Sequence, residues 1–543
     1  MKLVIRLIYF FVFVSETFLV LFMGNYVLSS LSLISSYDLV PIGLHLFLLA
    51  YEILAGIYIC YLVYMLGGAL IQVISAGKEL PSQFHRENYP LVSIIIPSYN
   101  GRLKNIELSI EILLENPYPA KEIIIADNSS DERFIKQVTE LTEKLGVFFY
   151  HKDGQEGFKA GVLNHVLPFL KGEFLIILDS DQILKDDAIF KFVDLITADD
   201  SIAYVQGKFE IFNRDSLIRR CNAILYAWYY DMLSRGKDLR HRVLFNGTSG
   251  CFRKSVLEEI GGFSEETLTE DIDTSFLILS RGYKSRLLDA VVTTALVSWR
   301  SQDLVTQFWR WTNGGTAVAK KRTWMVIKSK NLGLFDKFDL ILNGIVFFAA
   351  SGIAITSILL SLMVIFAIPV LDSRPEFFGI PGFIVLPGCL IAVLIMCIIL
   401  SIFLTRQPGE SKFELLKNLL TMIPFYLLSI SLQFFIISAL VDALFKDIPR
   451  EWNRKLNMKT VTVYLTLLSI LYLITAYMAW LNGDLLFFYM LFLVICVVFP
   501  VYFFWQDRKI DVEKLEENYI TEMRQRHRER KKETYFRHSQ QEQ

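Results

Sequence analysis

From Leu7 to Gly77 the sequence contains neither lysine nor arginine. Apolar runs fill that stretch at 7–33 and 42–75. Each is longer than the roughly 20 residues a helix needs to cross a hydrocarbon layer. Runs of the same kind recur at 338–368, 382–405, 461–481 and 484–506. Between the second and third lies a long polar block, 80–335. The chain must therefore fold as a soluble domain held between membrane helices. Hydrophobic residues make up 53% of it and charged residues 20%, and only such a division reconciles the two. The formal net charge of −1 speaks against a nucleic-acid partner. The cysteines are scattered and form no Cys-x-x-Cys, so neither a disulfide framework nor a zinc site is expected. Lys2 and Arg6 precede the first run without a small-residue cleavage site, which predicts an uncleaved anchor.

Lysine and arginine placement sets the expected orientation. The loop near Ser35–Asp38 lies outside and the block from 80 inside. Residues 369–381 carry only Arg374 and read as outside, as does the turn Asn482–Asp484. Segment 413–445 is apolar but has positive flanks on both sides: Arg406, Lys412 and Lys417 before it, Lys446, Arg450, Arg454, Lys455 and Lys459 after it. Pro424 interrupts it. It is expected to lie in the interface or re-enter rather than cross. The count is then about six spans with both termini inside. The tail at 507–543, with its RQRHRERKK run, is expected to be a charged, solvated helix that frays, with some attraction to anionic lipid.

Within the block, short apolar strands (Val92–Pro97, Glu122–Asp127, Phe174–Leu178, Ala203–Gln206) alternate with helical segments. That is an α/β pattern with a mostly parallel sheet. Phe174 to Leu178 reads as a strand buried on both faces. Asp179 and Asp181 emerge at its carboxyl end, where open α/β sheets place ligands. Two such carboxylates can share a divalent cation that bridges a diphosphate, although Asp-x-Asp also occurs in ordinary turns. The first strand ends in Pro97, Ser98, Tyr99 and Asn100, which leaves polar groups at its mouth. The second delivers Asp127, suited to accept from a base N–H or to serve as a turn or helix cap.

Further along, Gly157, Lys159 and Gly161 open a helix. Glycine permits close backbone approach, and lysine offers a point charge for phosphate. Gly247, Thr248, Ser249 and Gly250 form a loop able to line a sugar pocket. Thr269, Glu270, Asp271 and Asp273 crowd a helix start. Thr269 can cap that helix, and packed acids can raise a carboxylate toward a general-base role. Gln307 and Arg310 share a helix face, and Trp311 offers an indole suited to the C–H face of a pyranose. Trp309 reads instead as a residue of an interfacial helix.

The ordered series Asp127, Asp179-x-Asp181, Thr269-Glu270-Asp271 and Gln307-x-x-Arg310-Trp311 resembles the processive family-2 glycosyltransferases, the group of cellulose, mannan, chitin and hyaluronan synthases. The resemblance covers about 88–325. GFKAG with TEDID is most similar to the cellulose and glucomannan branch. The chain departs from the pattern in two places. Ala126 and Asn128 flank Asp127 where a second Asp is common. The PREWNRKLNMK segment has Trp452, Arg454 and Lys455 but no matching gating-loop Thr. The 37 or so residues after the last span are too few for a cyclic-dinucleotide receptor domain.

The resemblance implies a GT-A glycosyltransferase domain inserted in a transmembrane α-helical bundle. The expected division is two membrane helices at 1–79, a cytosolic GT-A domain at 80–300, an interfacial QxxRW region at 301–335, a membrane bundle at 336–506 and the tail. It implies a nucleotide-diphosphate sugar donor, expected to be UDP-linked, with Mg²⁺ or Mn²⁺ at Asp179 and Asp181. Tyr99, Asp127, Lys159, Asp179 and Asp181 would bind the donor. Asp271 would be the base, with Glu270 beside it. Gly250, Gln307, Arg310 and Trp311 would hold the acceptor, and Trp452 and Arg454 would gate. The product would be a β-linked glycan passed outward across the cell membrane through the protein's own spans. A non-processive transferase acting on a lipid or polyprenyl phosphate shares the donor motifs and remains the alternative. A receptor built on an inactive domain fits poorly, since Asp181 and Asp271 are both present.

Overall fold

The computed structural model describes residues 2–34, 39–75, 88–367, 376–377, 380–381, 412–445, 458–483, 486–507 and 509–541. Trp452 and Arg454, and the expected span 382–405, lie outside the described residues. The chain divides into two compact units. One comprises 80–212, 244–299 and 508–543; the other comprises 1–79, 213–243 and 300–507.

The first unit is built on an eight-stranded sheet. Its strands are β1 (Val92–Ser98), β2 (Lys121–Asp127), β3 (Phe148–His151), β4 (Phe174–Ile177), β5 (Ile183–Leu184), β6 (Ile202–Ile211), β7 (Gly250–Arg253) and β8 (Lys284–Ala295). Their order is β3-β2-β1-β4-β7-β6-β8-β5. The pairs β1–β2, β1–β4 and β2–β3 are parallel. β7 runs antiparallel between β4 and β6, so the sheet is more mixed than the alternation of elements predicts. Between β6 and β7 the chain leaves the sheet through the helical segment 213–243 and returns through the loop at 246–249, and β7 runs back against both neighbours.

Alternation along the central strands feeds two cores. Ile94, Ile96, Phe174, Ile176 and Leu178 face one layer. Ile95, Leu175 and Ile177 face the other. Burying each such side chain contributes roughly 1.5–3 kcal/mol, which is why β1 and β4 are apolar without interruption. The apolar run stops at Asp127 and at Asp179, where β2 and β4 reach the open edge.

The second unit is helical. Among the described residues, five helices are long and apolar enough to cross a membrane: Ile42–Ser75, Leu334–Ile365, Leu416–Phe445, Thr460–Leu481 and Leu486–Asp507. Four of them match expected spans. Leu416–Phe445 falls in the segment expected at the interface, and 61% of its apolar window is buried within the structure, the largest share of the five. Segment 213–243, expected in the α/β domain, belongs to this unit. Buried polar contacts tie it there. Lys237 pairs with Asp339, which also accepts from the Tyr61 hydroxyl at 2.8 Å. Arg240 Nε donates to Asp336 at 2.7 Å. Breaking one partner of such a buried pair typically costs about 3–5 kcal/mol.

The tail also differs from expectation. The helix Val512–Gln541 packs on the α/β unit, with Tyr519, Ile520 and Met523 buried against Leu108, Ile112 and Ile183. Three apolar residues on one face are enough to dock a helix that is otherwise charged.

Candidate active site

The end of β4 gathers most of the expected donor residues. Lys159, in the first turn of the helix Phe158–Val166, donates from Nζ to Asp179 Oδ1 at 2.5 Å and to the Gly247 carbonyl at 2.7 Å. The Asp179 amide donates to Thr248 Oγ1 at 3.0 Å. Thr248 and Ser249 hydroxyls both donate to Gln182 Oε1, at 3.0 and 2.7 Å. The Asp-x-Asp turn and the loop at 246–249 are therefore one hydrogen-bonded body. Gly247 has φ +85°, and a Cβ there would stand 3.1 Å from Asp271 Oδ2. The positive φ favours glycine there, and a Cβ would require the Asp271 carboxylate to give by a few tenths of an ångström.

Asp271 opens the helix Glu270–Ser280. The Ser275 hydroxyl donates to its carbonyl at 2.7 Å and accepts from the Phe245 amide at 2.9 Å, which fixes this helix start to the loop. Thr269 sits at the cap position, but its side chain makes no capping bond. Asp273 is fully buried and accepts from the Ser264 and Thr267 hydroxyls at 2.6 and 3.2 Å. Its part is to hold the preceding loop.

The acids are held in unfavourable surroundings. Burial, with Asp271 alongside, pushes Glu270 up to about 8. Burial, with Asp179 adding repulsion, pushes Asp271 up to about 6. Burial and then the neighbouring Asp179 push Asp181 up to about 7. Burial works against the Lys159 cation, yet Asp179, Glu270 and Asp271 outweigh it and hold its pKa above the ordinary value. Opposed shifts of this kind concentrate where charge is to be handled.

Among the described residues no three His, Cys, Asp or Glu groups are set to enclose a metal. Asp179 and Asp181 offer hard carboxylate oxygens, and their mutual repulsion is what a divalent cation would relieve. One or two carboxylates completed by phosphate oxygens and water is the ordinary Mg²⁺ arrangement. The donor set fits.

The base-contact residue expected from the sequence is enclosed. Asp127 has no exposed surface. Its Oδ1 accepts from Ser129 Oγ at 2.7 Å, and its Oδ2 accepts from the Ser129 amide at 3.0 Å and lies 2.8 Å from His151 Nδ1. His151, at the end of β3, is the half-exposed member of that pair. Tyr99 accepts from Gln155 Nε2 at the rim. Gly250 is buried at the start of β7, where a Cβ would fall 2.4 Å from the Phe245 ring; the position serves packing.

Gln307, Arg310 and Trp311 lie in the helical unit, on the helix Ser301–Lys328. Gln307 Nε2 donates to the Tyr226 hydroxyl at 3.1 Å. The Trp311 ring stands edge-on to Tyr226 at 6.2 Å. Gln307 Oε1 is buried without a hydrogen-bond partner, an acceptor available to a hydroxyl. Asp507 caps this helix, accepting from the Ser301 amide at 2.7 Å; an anion at a helix N-terminus is favourable there. Trp309 is buried. Neither Tyr226 nor His151 was singled out in the sequence. Tyr226 lies in the aromatic stretch LYAWYY, and His151 is the last residue of the short strand FFYH; only the fold pairs them with Gln307 and Asp127.

Comparison with known proteins defines the class. The family model described as Glycosyl transferase family 2 matches residues 93–261. Glucomannan 4-beta-mannosyltransferase 7 of Arabidopsis thaliana is 26% identical over 330 residues, 56% of this chain and 59% of that protein. Poly-beta-1,6-N-acetyl-D-glucosamine synthase of Staphylococcus epidermidis is 26% identical over 290 residues, 53% and 69% respectively. Cellulose synthase 1 catalytic subunit of Komagataeibacter xylinus is 26% identical over 264 residues, 47% and 35%. Residues 93–261 of the α/β unit thus match the family-2 glycosyltransferase model, and the relatives of the chain are polysaccharide synthases. The chain spans about three-fifths of the first relative's length and about a third of the last.

Proposed function

We propose that the protein is a membrane-embedded, inverting β-glycosyltransferase that extends a polysaccharide from a nucleotide-sugar, with a UDP-sugar the expected donor. The observation that carries this reading is the convergence of Lys159, Asp179 and Asp271 on the single loop around Gly247. Asp179 and Asp181 would hold Mg²⁺ or Mn²⁺, which when bound neutralises the departing diphosphate. Lys159 binds the same phosphates. Asp271 takes the proton of the acceptor hydroxyl as it attacks the anomeric carbon from the face opposite the leaving group. An α-linked donor then gives a β linkage. Burial keeps Glu270 protonated at neutral pH, so a single negative charge serves as base.

The acceptor end is assigned to Gln307, Arg310 and Trp311, with Tyr226 setting the first and last of these. The catalytic unit is placed in the cytosol, both termini with it, and the glycan leaves through the apolar helices of the cell membrane. The experiment is incubation of membranes with a panel of labelled UDP- and GDP-sugars, followed by sizing of the product. Polymer that disappears on chelation and in Asp181→Asn is expected. A single sugar on a lipid would favour the lipid-acceptor alternative, and full activity in excess chelator would remove the cation.

A further inference from the structure

The C-terminal helix touches the donor site from behind. Tyr519, Ile520 and Met523 occupy one face of Val512–Gln541 and are buried with Leu108, Ile112 and Ile183. Ile183 begins β5, two residues beyond Asp181. The Tyr519 hydroxyl lies 3.5 Å from the Asp181 carbonyl, too long for a strong hydrogen bond, so the tail holds this turn through the packing of Tyr519 with Ile183 and its neighbours. Phe212 stands edge-on to that ring at 5.0 Å, and the Arg526 guanidinium lies over Phe212 at 4.8 Å.

A second layer joins the same turn. Ser109, on the helix Leu103–Leu114, donates from its hydroxyl to the carbonyls of Ser180 and Gln182, both at 3.2 Å. The tail is registered on this helix by ion pairs along its length. Glu516 pairs with Arg102, and Glu517 with Lys104 at 2.6 Å. Arg524 bridges Glu107 and Glu111 at 3.2 and 3.1 Å, and His527 meets Glu115 at 2.5 Å. Exposed pairs of this kind contribute little each; in series they fix direction and register. The apolar face supplies the adhesion. The turn from Asp179 to Ile183 is therefore gripped by the loop at 246–249 on one side and by the Ser109 helix and the tail on the other.

We propose that the C-terminal helix is a positioning element of the donor site: it clamps the turn that carries Asp181, and its release weakens cation and nucleotide binding. Tyr519, Ile520 and Met523 are positioning residues. This rests on the glycosyltransferase reading, in which Asp181 holds the cation.

The test uses the purified full-length protein. Mn²⁺ binding in the presence of UDP is read directly from loss of the free-ion electron paramagnetic resonance signal, and donor KM and kcat are measured beside it. Trypsin cleavage in the tail reports release. Tyr519→Ala with Met523→Ala should expose the tail to trypsin, weaken Mn²⁺ binding about tenfold and raise donor KM by a similar factor, with kcat at saturation falling less. Tyr519→Phe should change little. Arg524→Glu should shift the same quantities in the same direction without opening the core, and Glu107→Arg with Glu111→Arg should restore them. A released tail with wild-type Mn²⁺ binding and KM overturns the proposal, as does Arg524→Glu with unaltered binding. A wild-type protein that binds Mn²⁺ and UDP but transfers no sugar instead defeats the reading of the reaction.

Discussion

The Lys159 ammonium sits 2.5 Å from Asp179 Oδ1 while donating to the Gly247 carbonyl at 2.7 Å. One cation thus joins the Asp-x-Asp turn to the loop beside Asp271. On the proposed donor assignment, a diphosphate entering this site would meet a charge already in place, so little reorganisation would be needed as negative charge develops.

Lys159→Met should therefore lower kcat/KM for the donor by about 10–100-fold, the loss of one preorganised charge at a leaving group. UDP binding by calorimetry should weaken in parallel. Unchanged UDP affinity would take Lys159 out of the donor site.

Asp271 must be ionised to accept a proton, and its surroundings push it up to about 6. Activity should accordingly rise with pH through about 6 and level off above it. Asp271→Asn should cost about 10²–10⁴-fold in turnover and leave donor binding intact. A rate flat from pH 5 to 7.5, or wild-type turnover in the variant, would remove the base from this residue.

The strands and their terminal carboxylates were legible because a doubly buried strand has to be apolar throughout, and an acid at its end then stands out. Asp179, Asp181, Lys159 and Asp271 come together as their order implied. The enclosure of Asp127 was not legible, since its partner His151 is 24 residues away and either residue alone has ordinary alternatives. Tyr226 is 81 residues from Gln307. The tail misled through its charge: Tyr519, Ile520 and Met523 are a minority that composition averages away, while docking depends on their common face.

Glu270 should report the cost of crowding acids. Its folded pKa is raised to about 8, above that of an unfolded chain. The associated stability is present at pH below the unfolded value and is lost as pH rises through the folded one. Glu270→Gln should therefore raise Tm relative to wild type at pH 8.5 and not at pH 5. A gain of about 1 kcal/mol corresponds to about 2–4 °C for a unit of this size. An equal difference at both pH values would show that Glu270 is not held protonated in the fold.

Membrane topology is constrained by parity. The α/β unit includes both the block before Arg300 and the tail after Asp507, so both are expected on one side of the membrane. The chain must cross an even number of times between them. Leu334–Ile365, Leu416–Phe445, Thr460–Leu481 and Leu486–Asp507, with the expected span 382–405, make one candidate too many. Leu416–Phe445, flanked by cations at both ends, is the one expected not to cross. A cysteine placed at Arg454 should be protected from external label and react once membranes are opened. Labelling from outside would place that segment across the bilayer and require another candidate to stay inside.

Product length should depend on Tyr226 as well as on Trp311. A growing glycan has to be held after each transfer and then shifted by one unit, and an indole face tolerates sliding because its contact is non-directional. Losing that face removes roughly 1–3 kcal/mol of acceptor binding, about 5- to 150-fold in affinity. Trp311→Ala should abolish or sharply shorten the polymer while slow hydrolysis of the donor persists. Tyr226 stands edge-on to that indole and accepts from Gln307. Tyr226→Phe keeps the ring contact and removes only the hydroxyl, so it should shorten chains modestly, by releasing Gln307. Tyr226→Ala loses both and should approach Trp311→Ala. Sizing the polymers from the three variants against donor hydrolysis separates these effects. Full-length polymer from Tyr226→Ala would show that Trp311 is positioned without its neighbour.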